Sequence, residues 1–194
     1  INKIKNEILP VRKLLEKWNQ LLIGVSPQIT QVKSLILKFS KIKEPILITG
    51  DTGTGKELVS RAMHDEGSHP KEPFLAINCG ALTDTLLQSE LFGYVAGAFT
   101  GAQKESKGIF ESARNGTVFL DEFGEISPKL QVSLLRVLES NEIRMLGGTE
   151  NRKINCKIVI ATNIDLNQAV LEKKFREDLF FRLARFDLKL PSLR

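Results

Sequence analysis

The chain has 194 residues, 42% of them apolar, with 28 Lys and Arg against 23 Asp and Glu for a formal charge of +5. That apolar content excludes a disordered chain and fits one domain of ordinary size with an appendage. Lys and Arg are spread without a dense basic run, so charge alone does not imply nucleic acid, and no apolar run approaches the length of a membrane span or has the form of a signal peptide.

The opening segment INKIKNEILPVRKLLEKWNQLL (1–22) carries Ile1, Ile4, Ile8, Val11, Leu15, Trp18 and Leu22 at spacings of three and four, one apolar stripe on a helix. Pro10 breaks or kinks it unless a second helix begins there. We read 1–22 as an N-terminal helical linker, packed on its own domain or leading from an upstream one, and 23–194 as an α/β domain. A chain that begins at Ile1 rather than Met and stops at Arg194 directly after an apolar run reads as part of something longer.

Strand-like runs follow in PILIT (45–49), FLAIN (74–78), TVFLD (117–121), KIVIATN (157–163) and FDLKL (186–190), several continuously apolar, as parallel strands covered on both faces should be. Helix-like stretches at 28–41, 56–66, 83–91, 128–141 and 175–183 alternate with them. The alternation predicts a three-layer α/β/α sandwich with a five-stranded parallel sheet and right-handed crossovers. Cys79 and Cys156 border strand-like runs without C-x-x-C spacing and read as buried thiols in a reducing, cytoplasmic setting. His64 and His69 stand isolated in a polar segment and have no evident role.

GDTGTGKE (50–57) follows the first strand and matches the G-x-x-x-x-G-K pattern in its strand–loop–helix context. Glycines let the loop amides turn toward phosphate oxygens, the helix N-terminus adds its positive dipole end, and Lys56 supplies charge to the β- and γ-phosphates. Glu57 stands where Ser or Thr normally offers a hydroxyl to Mg²⁺, so metal holding must lean on another carboxylate. GTVFLDEFGE ends a buried strand on Asp121 and Glu122: Asp121 is suited to hold Mg²⁺ and Glu122 to polarise an attacking water, or the pair caps a helix. GYVAGAFTGAQ is odd beside these motifs, a Phe among small residues with no Asn, Asp or Pro to turn on.

In order, GDTGTGKE, NCGAL, SELFG, GAFTGA, GTVFLDE, IATN and FREDLFFRL resemble the AAA+ ATPase domain of bacterial sigma-54-dependent transcriptional activators, from about residue 22 to 194. GAFTGA is highly specific to that family, and Glu57 is usual there. The resemblance implies a P-loop NTPase binding ATP and Mg²⁺ through Gly50, Asp51, Thr52, Gly53, Thr54, Gly55, Lys56, Glu57 and Leu58, with Asp121 on the metal. It implies that Gly97, Ala98, Phe99, Thr100, Gly101 and Ala102 form a surface loop inserted into a helix, which rises with ATP and presses Phe99 and Thr100 on sigma-54. It further implies that Asn78 hydrogen-bonds Glu122 as a switch, that Asn163 beside Thr162 reads the γ-phosphate, and that Arg176 and Arg182 reach a neighbouring subunit's nucleotide in a hexameric or heptameric ring. Taken without the motif, those two arginines read as salt bridges to Glu177 and Asp178.

IRMLGGTENRKIN (143–155) resembles the family's second insertion, a hairpin-like loop turning at Gly147-Gly148. Departures are Val95 and Ala96, where the family carries polar residues, and Lys173, where glycine is common, read as a tolerated change at a helix start. The family's helical lid and its enhancer-DNA-binding domain are not in this sequence, so weak ATP binding and poor assembly are expected of it. Two alternatives stay open: a regulator in which nucleotide binding only switches assembly, and an unrelated AAA+ remodeller, which has no reason to carry GAFTGA.

Overall fold

The computed structural model of the protein describes residues 26–192, so the linker helix read at 1–22 lies outside the described residues. The first described helix, α1 (Pro27–Ser40), begins where Ser26 accepts a hydrogen bond from the Ile29 amide at 3.3 Å and Pro27 occupies the first turn. Strand β1 (Ile46–Thr49) leads into α2 (Lys56–Asp65), and β2 (Phe74–Asn78) into α3 (Asp84–Phe92). A short hairpin of β3 (Gly93–Tyr94) and β4 (Ser106–Lys107) then precedes α4 (Ile109–Ser112), which packs on α3. After β5 (Thr117–Asp121) and a 3-10 turn (Phe123–Glu125) come α5 (Pro128–Ser140) and the hairpin of β6 (Glu142–Arg144) with β7 (Asn151–Lys153). The described chain closes with β8 (Lys157–Thr162), α6 (Leu166–Leu171), α7 (Glu177–Leu183) and β9 (Asp187–Lys189).

The five long strands form one parallel sheet in the order β2-β5-β8-β1-β9. Successive strand residues face opposite ways, so Leu47, Val118, Leu120, Ile158 and Ile160 join one core with α3 to α7, while Ile46, Ile48, Phe119, Val159 and Ala161 join a second with α1 and α2. Three layers result, as expected. Full burial of Phe119 or Leu120 contributes roughly 1.5–3 kcal/mol each, and both are about 1% exposed.

Some boundaries and environments differ from the sequence reading. Helix α7 begins at Glu177 rather than 175, because Arg176 is extended (φ −76°, ψ 134°) and caps it. Lys173 sits at a helix end, not a start: with φ 58° it takes the left-handed position after α6, and its amide donates to Val170 O at 2.9 Å. Such positions favour glycine, which explains the residue common there. His64 is buried in α2, not stranded in a polar segment; its Nδ1 lies 3.0 Å from Thr117 Oγ1, its ring meets Phe74 edge-on, and burial lowers its pKa below the usual imidazole value. Cys156 is half-buried rather than buried, though burial still pushes its thiol up to about 12.

Candidate active site

The carboxyl ends of the parallel strands carry the chemistry, the usual place for ligands on an open α/β sheet. Thr49 is paired with Thr162 and Asn78 with Asp121, so the P-loop, Asn163, the Asp121-Glu122 pair and Asn78 share one sheet edge. With β8 between β1 and β5, Asp121 stands two strands from the loop, roughly 10 Å.

Residues 50–55 run from β1 to α2. Gly55 caps α2 at φ 87°, a conformation open to glycine, and the Thr54 hydroxyl donates to Asp51 O at 2.7 Å to close the turn. Lys56, 9% exposed, folds over this loop and donates from Nζ to Gly50 O at 2.9 Å and Asp51 O at 3.0 Å. Its ammonium is thereby held at the mouth of the loop, where a phosphate would compete for it. Asn163 Nδ2 donates to Thr52 Oγ1 at 3.3 Å, which ties the end of β8 to the same loop. Glu57 points along α2 to Arg61, 3.6 Å away and exposed, and Leu58 is 44% exposed beside Gly55.

At the end of β5, Asp121 Oδ1 accepts the Glu122 amide at 2.9 Å, and Glu122 takes the left-handed region at φ 52°, ψ 37°. A non-glycine residue there carries backbone strain of about 1–3 kcal/mol, which clusters at functional sites. The expected Asn78–Glu122 hydrogen bond is replaced: Asn78 Oδ1 accepts the Gly80 and Ala81 amides at 2.9 and 3.1 Å, an Asx turn that engages the oxygen locally. Glu122 instead lies against Gly80 together with Glu125, which the sequence reading missed; a Cβ on Gly80 would sit 2.6 Å from an oxygen of each. Cys79 lies buried beneath them. Burial first, then the charges of Asp121 and Glu122, push its thiol up to about 12, so the buried-thiol reading holds.

Both arginines are engaged within the chain. Arg176 forms a two-point pair with Asp178 at 3.0 and 2.6 Å, and Arg182 donates to Leu138 O at 3.1 and 2.8 Å with Glu44 at 3.6 Å. Neither bonds to the P-loop or to Asp121 and Glu122 of its own chain. Arg182 borders a cavity of about 490 Å³ between Lys41, Thr117 and Lys157, at the strands' amino ends and away from the P-loop.

The GAFTGA segment lies between α3 and α4, on the β3–β4 hairpin. It does fold back, contrary to its composition: Gly97 (φ 82°) and Gly101 (φ 103°) supply the turns that Asn or Asp usually make, and the Gly97 amide donates to Ala102 O at 2.8 Å. Phe99 remains 43% exposed, its ring 5.0 Å edge-on to Tyr94, with Thr100 exposed beside it. Ala102 is 6% exposed, so it shapes the loop's base rather than presenting a surface. The second hairpin docks here. The Val95 amide donates to Leu146 O at 3.1 Å and the Leu146 amide to Gly93 O at 2.9 Å, while Gly147 approaches Ala98 so closely that a Cβ would meet its methyl at 2.9 Å. Arg152, also missed in the sequence, ties β7 to Glu105 and Glu111 at 3.0 Å each.

Residues 22–189 match the profile of the family described as "Sigma-54 interaction domain". The chain belongs to that family. Its fold is that of the AAA+ P-loop NTPases, a five-stranded parallel sheet with helices on both faces. It is 49% identical over 173 residues to the Nif-specific regulatory protein of Rhodobacter capsulatus, covering 89% of this chain and 30% of that protein. To the transcriptional regulatory protein GlrR of Escherichia coli it is 43% identical, covering 92% of this chain and 40% of GlrR. Among solved structures, NtrX from Brucella abortus in complex with ATP superposes with a TM-score of 0.80 at 31% identity, covering 98% of this chain and 44% of NtrX. The chain thus spans 30%, 40% and 44% of the length of these three proteins. Among the described residues no helix is long and apolar enough to cross a membrane.

Proposed function

We propose that this chain is the ATP-hydrolysing motor of a cytoplasmic sigma-54-dependent activator, working as a ring of copies that drives the sigma-54 RNA polymerase from closed to open complex. Enhancer DNA would be bound by a separate domain. One conjunction carries the reading: Lys56 and the Asp121-Glu122 pair share a sheet edge, while Phe99 stands 43% exposed on a hairpin outside the core.

ATP suits the loop as substrate. Residues 50–55 bring a glycine-turned backbone to the N-terminus of α2, and Lys56 would exchange its two loop carbonyls for the β- and γ-phosphates. Mg²⁺ would be taken through one or two carboxylates and the substrate's own phosphates. Mg²⁺ would neutralise phosphate charge, and Asp121, at the end of β5, would hold it. Glu122 would orient and polarise the attacking water, Asn163 would register the γ-phosphate, and Asn78 would act on Glu122 only after giving up its Asx turn. Arg176 and Arg182 would leave Asp178 and Leu138 O to serve a neighbouring copy's nucleotide. An arginine supplied in trans is worth roughly 10³–10⁵ in rate.

Phe99 offers a large apolar anchor to a partner, and the docked second hairpin provides a surface against which the loop can move between two positions. Co-sedimentation with sigma-54 in the presence of ATP and a γ-phosphate transition-state mimic tests the reading. Binding lost in Thr100→Ala, with ATP hydrolysis retained, is the expected result; no sigma-54 bound by an assembled, hydrolysing ring would sink it.

A further inference from the structure

Gln131 lies on the buried face of α5, 1% exposed, where the stripe of Leu130, Leu134, Val137 and Leu138 leads one to expect another apolar residue. Its amide is fully engaged. Nε2 donates to Ile126 O at 3.1 Å and to Lys174 O at 3.0 Å, and Oε1 accepts the Arg176 amide at 2.8 Å. These partners belong to two separate parts of the site. Ile126 directly follows the 3-10 turn that begins beyond Glu122, whereas Lys174 and Arg176 bracket Phe175 at the start of α7. Phe175 itself is buried and meets Phe123 edge-on with ring centroids 6.2 Å apart, so an apolar contact runs beside the polar one between the same two segments.

Arg176 is held in an unusual way for a helix cap. Its amide is bonded by a buried side chain, which pins its backbone, while its guanidinium stays 45% exposed and bound only to Asp178. A cavity of about 370 Å³ lined by Pro128, Gln131, Phe175 and Arg176 opens directly over this bridge. The backbone end is therefore joined to a buried side chain and the charged tip is accessible.

We propose that Gln131 is a positioning residue that couples Arg176, which serves a neighbouring copy's nucleotide, to Glu122, which serves the nucleotide of its own copy. The inference rests on the trans role proposed above for Arg176. The amide is planar and rigid, so a shift of the Arg176 backbone on engaging a neighbour's phosphates moves both ends of the amide together. The displacement reaches Ile126 and, through the 3-10 turn, the left-handed Glu122. One buried side chain thus links the state of a neighbouring site to the water-polarising carboxylate.

The test is a double-variant cycle on ATP hydrolysis at protein concentrations that saturate assembly, using Gln131→Leu, Arg176→Ala and their combination. Gln131→Leu keeps the volume and removes all three bonds; Gln131→Met, unbranched and of similar length, supplies the same comparison if the leucine variant does not fold. The expected result is a fall in kcat of about tenfold or more from a misplaced catalytic group, an affinity for a fluorescent ATP analogue within about twofold of the parent, and less than about twofold further loss when Arg176 is already Ala. Losses that multiply in the double variant, or a Gln131 variant with unchanged kcat, overturn the coupling while leaving the trans arginine standing. Unimpaired hydrolysis by Arg176→Ala alone overturns the trans role itself, and this inference with it.

Discussion

Gly80→Ala should separate catalysis from binding and from folding. The new Cβ would lie 2.6 Å from Glu122 Oε2 and equally close to Glu125 Oε2. An ordinary carbon–oxygen contact is about 3.3 Å, so each oxygen must retreat by about 0.7 Å. Both atoms are the far ends of flexible side chains, so the fold absorbs the change by rotating them, and the backbone is not forced to move. The carboxylate proposed to polarise water is nevertheless displaced, and a misplacement of about 1 Å costs on the order of a hundredfold in rate. The expected outcome is a drop in kcat of about ten- to a hundredfold, with ATP-analogue affinity and melting temperature near the parent's. Steady-state ATP hydrolysis, equilibrium titration and thermal denaturation read the three quantities separately. Hydrolysis at the parent's rate would refute the assignment of Glu122, and a collapsed melting temperature would refute the claim that only side-chain ends give way.

Lys173→Gly should raise stability by about 1 kcal/mol, because the left-handed backbone at φ 58° penalises a side chain and glycine does not; an unchanged or lower urea midpoint counts against it. Phe119→Ala, at 1% exposure in the core shared with α1 and α2, should cost roughly 3–5 kcal/mol in denaturant unfolding, and a loss under about 1 kcal/mol would show the core packed otherwise. Burial pushes the Lys157 ammonium down to about 8, so from about pH 8 to the usual lysine range near 10.4 the unfolded chain binds a proton that the folded one has released, and stability should rise with pH across that window. Comparing urea midpoints of the parent and Lys157→Met from pH 7 to 10 isolates this slope, and parallel curves would dismiss it. Cys79, its thiol pushed up to about 12, should resist iodoacetamide at pH 8 until the protein unfolds; labelling at the rate of a free thiol would contradict its burial.

The residues that announce themselves in the sequence carry local signals. Continuous apolar runs identify β1, β5 and β8, and G-x-x-x-x-G-K followed later by FLDE marks the phosphate edge. Each signal is a physical preference of adjacent backbone, so the chain alone settles the layered α/β class and the nucleotide motif. Tertiary structure decided which strands lie side by side, since the order β2-β5-β8-β1-β9 depends on crossovers no local preference encodes. It also decided that Asn78 turns on its own backbone, that His64 is buried against Thr117, and that Lys173 ends a helix. Gln131 is the clearest case: in sequence it is one polar residue on an apolar stripe, and its partner Arg176 is 45 residues away. A buried amide is favourable only if its hydrogen bonds are met, and whether they are met depends on segments that the fold alone brings together.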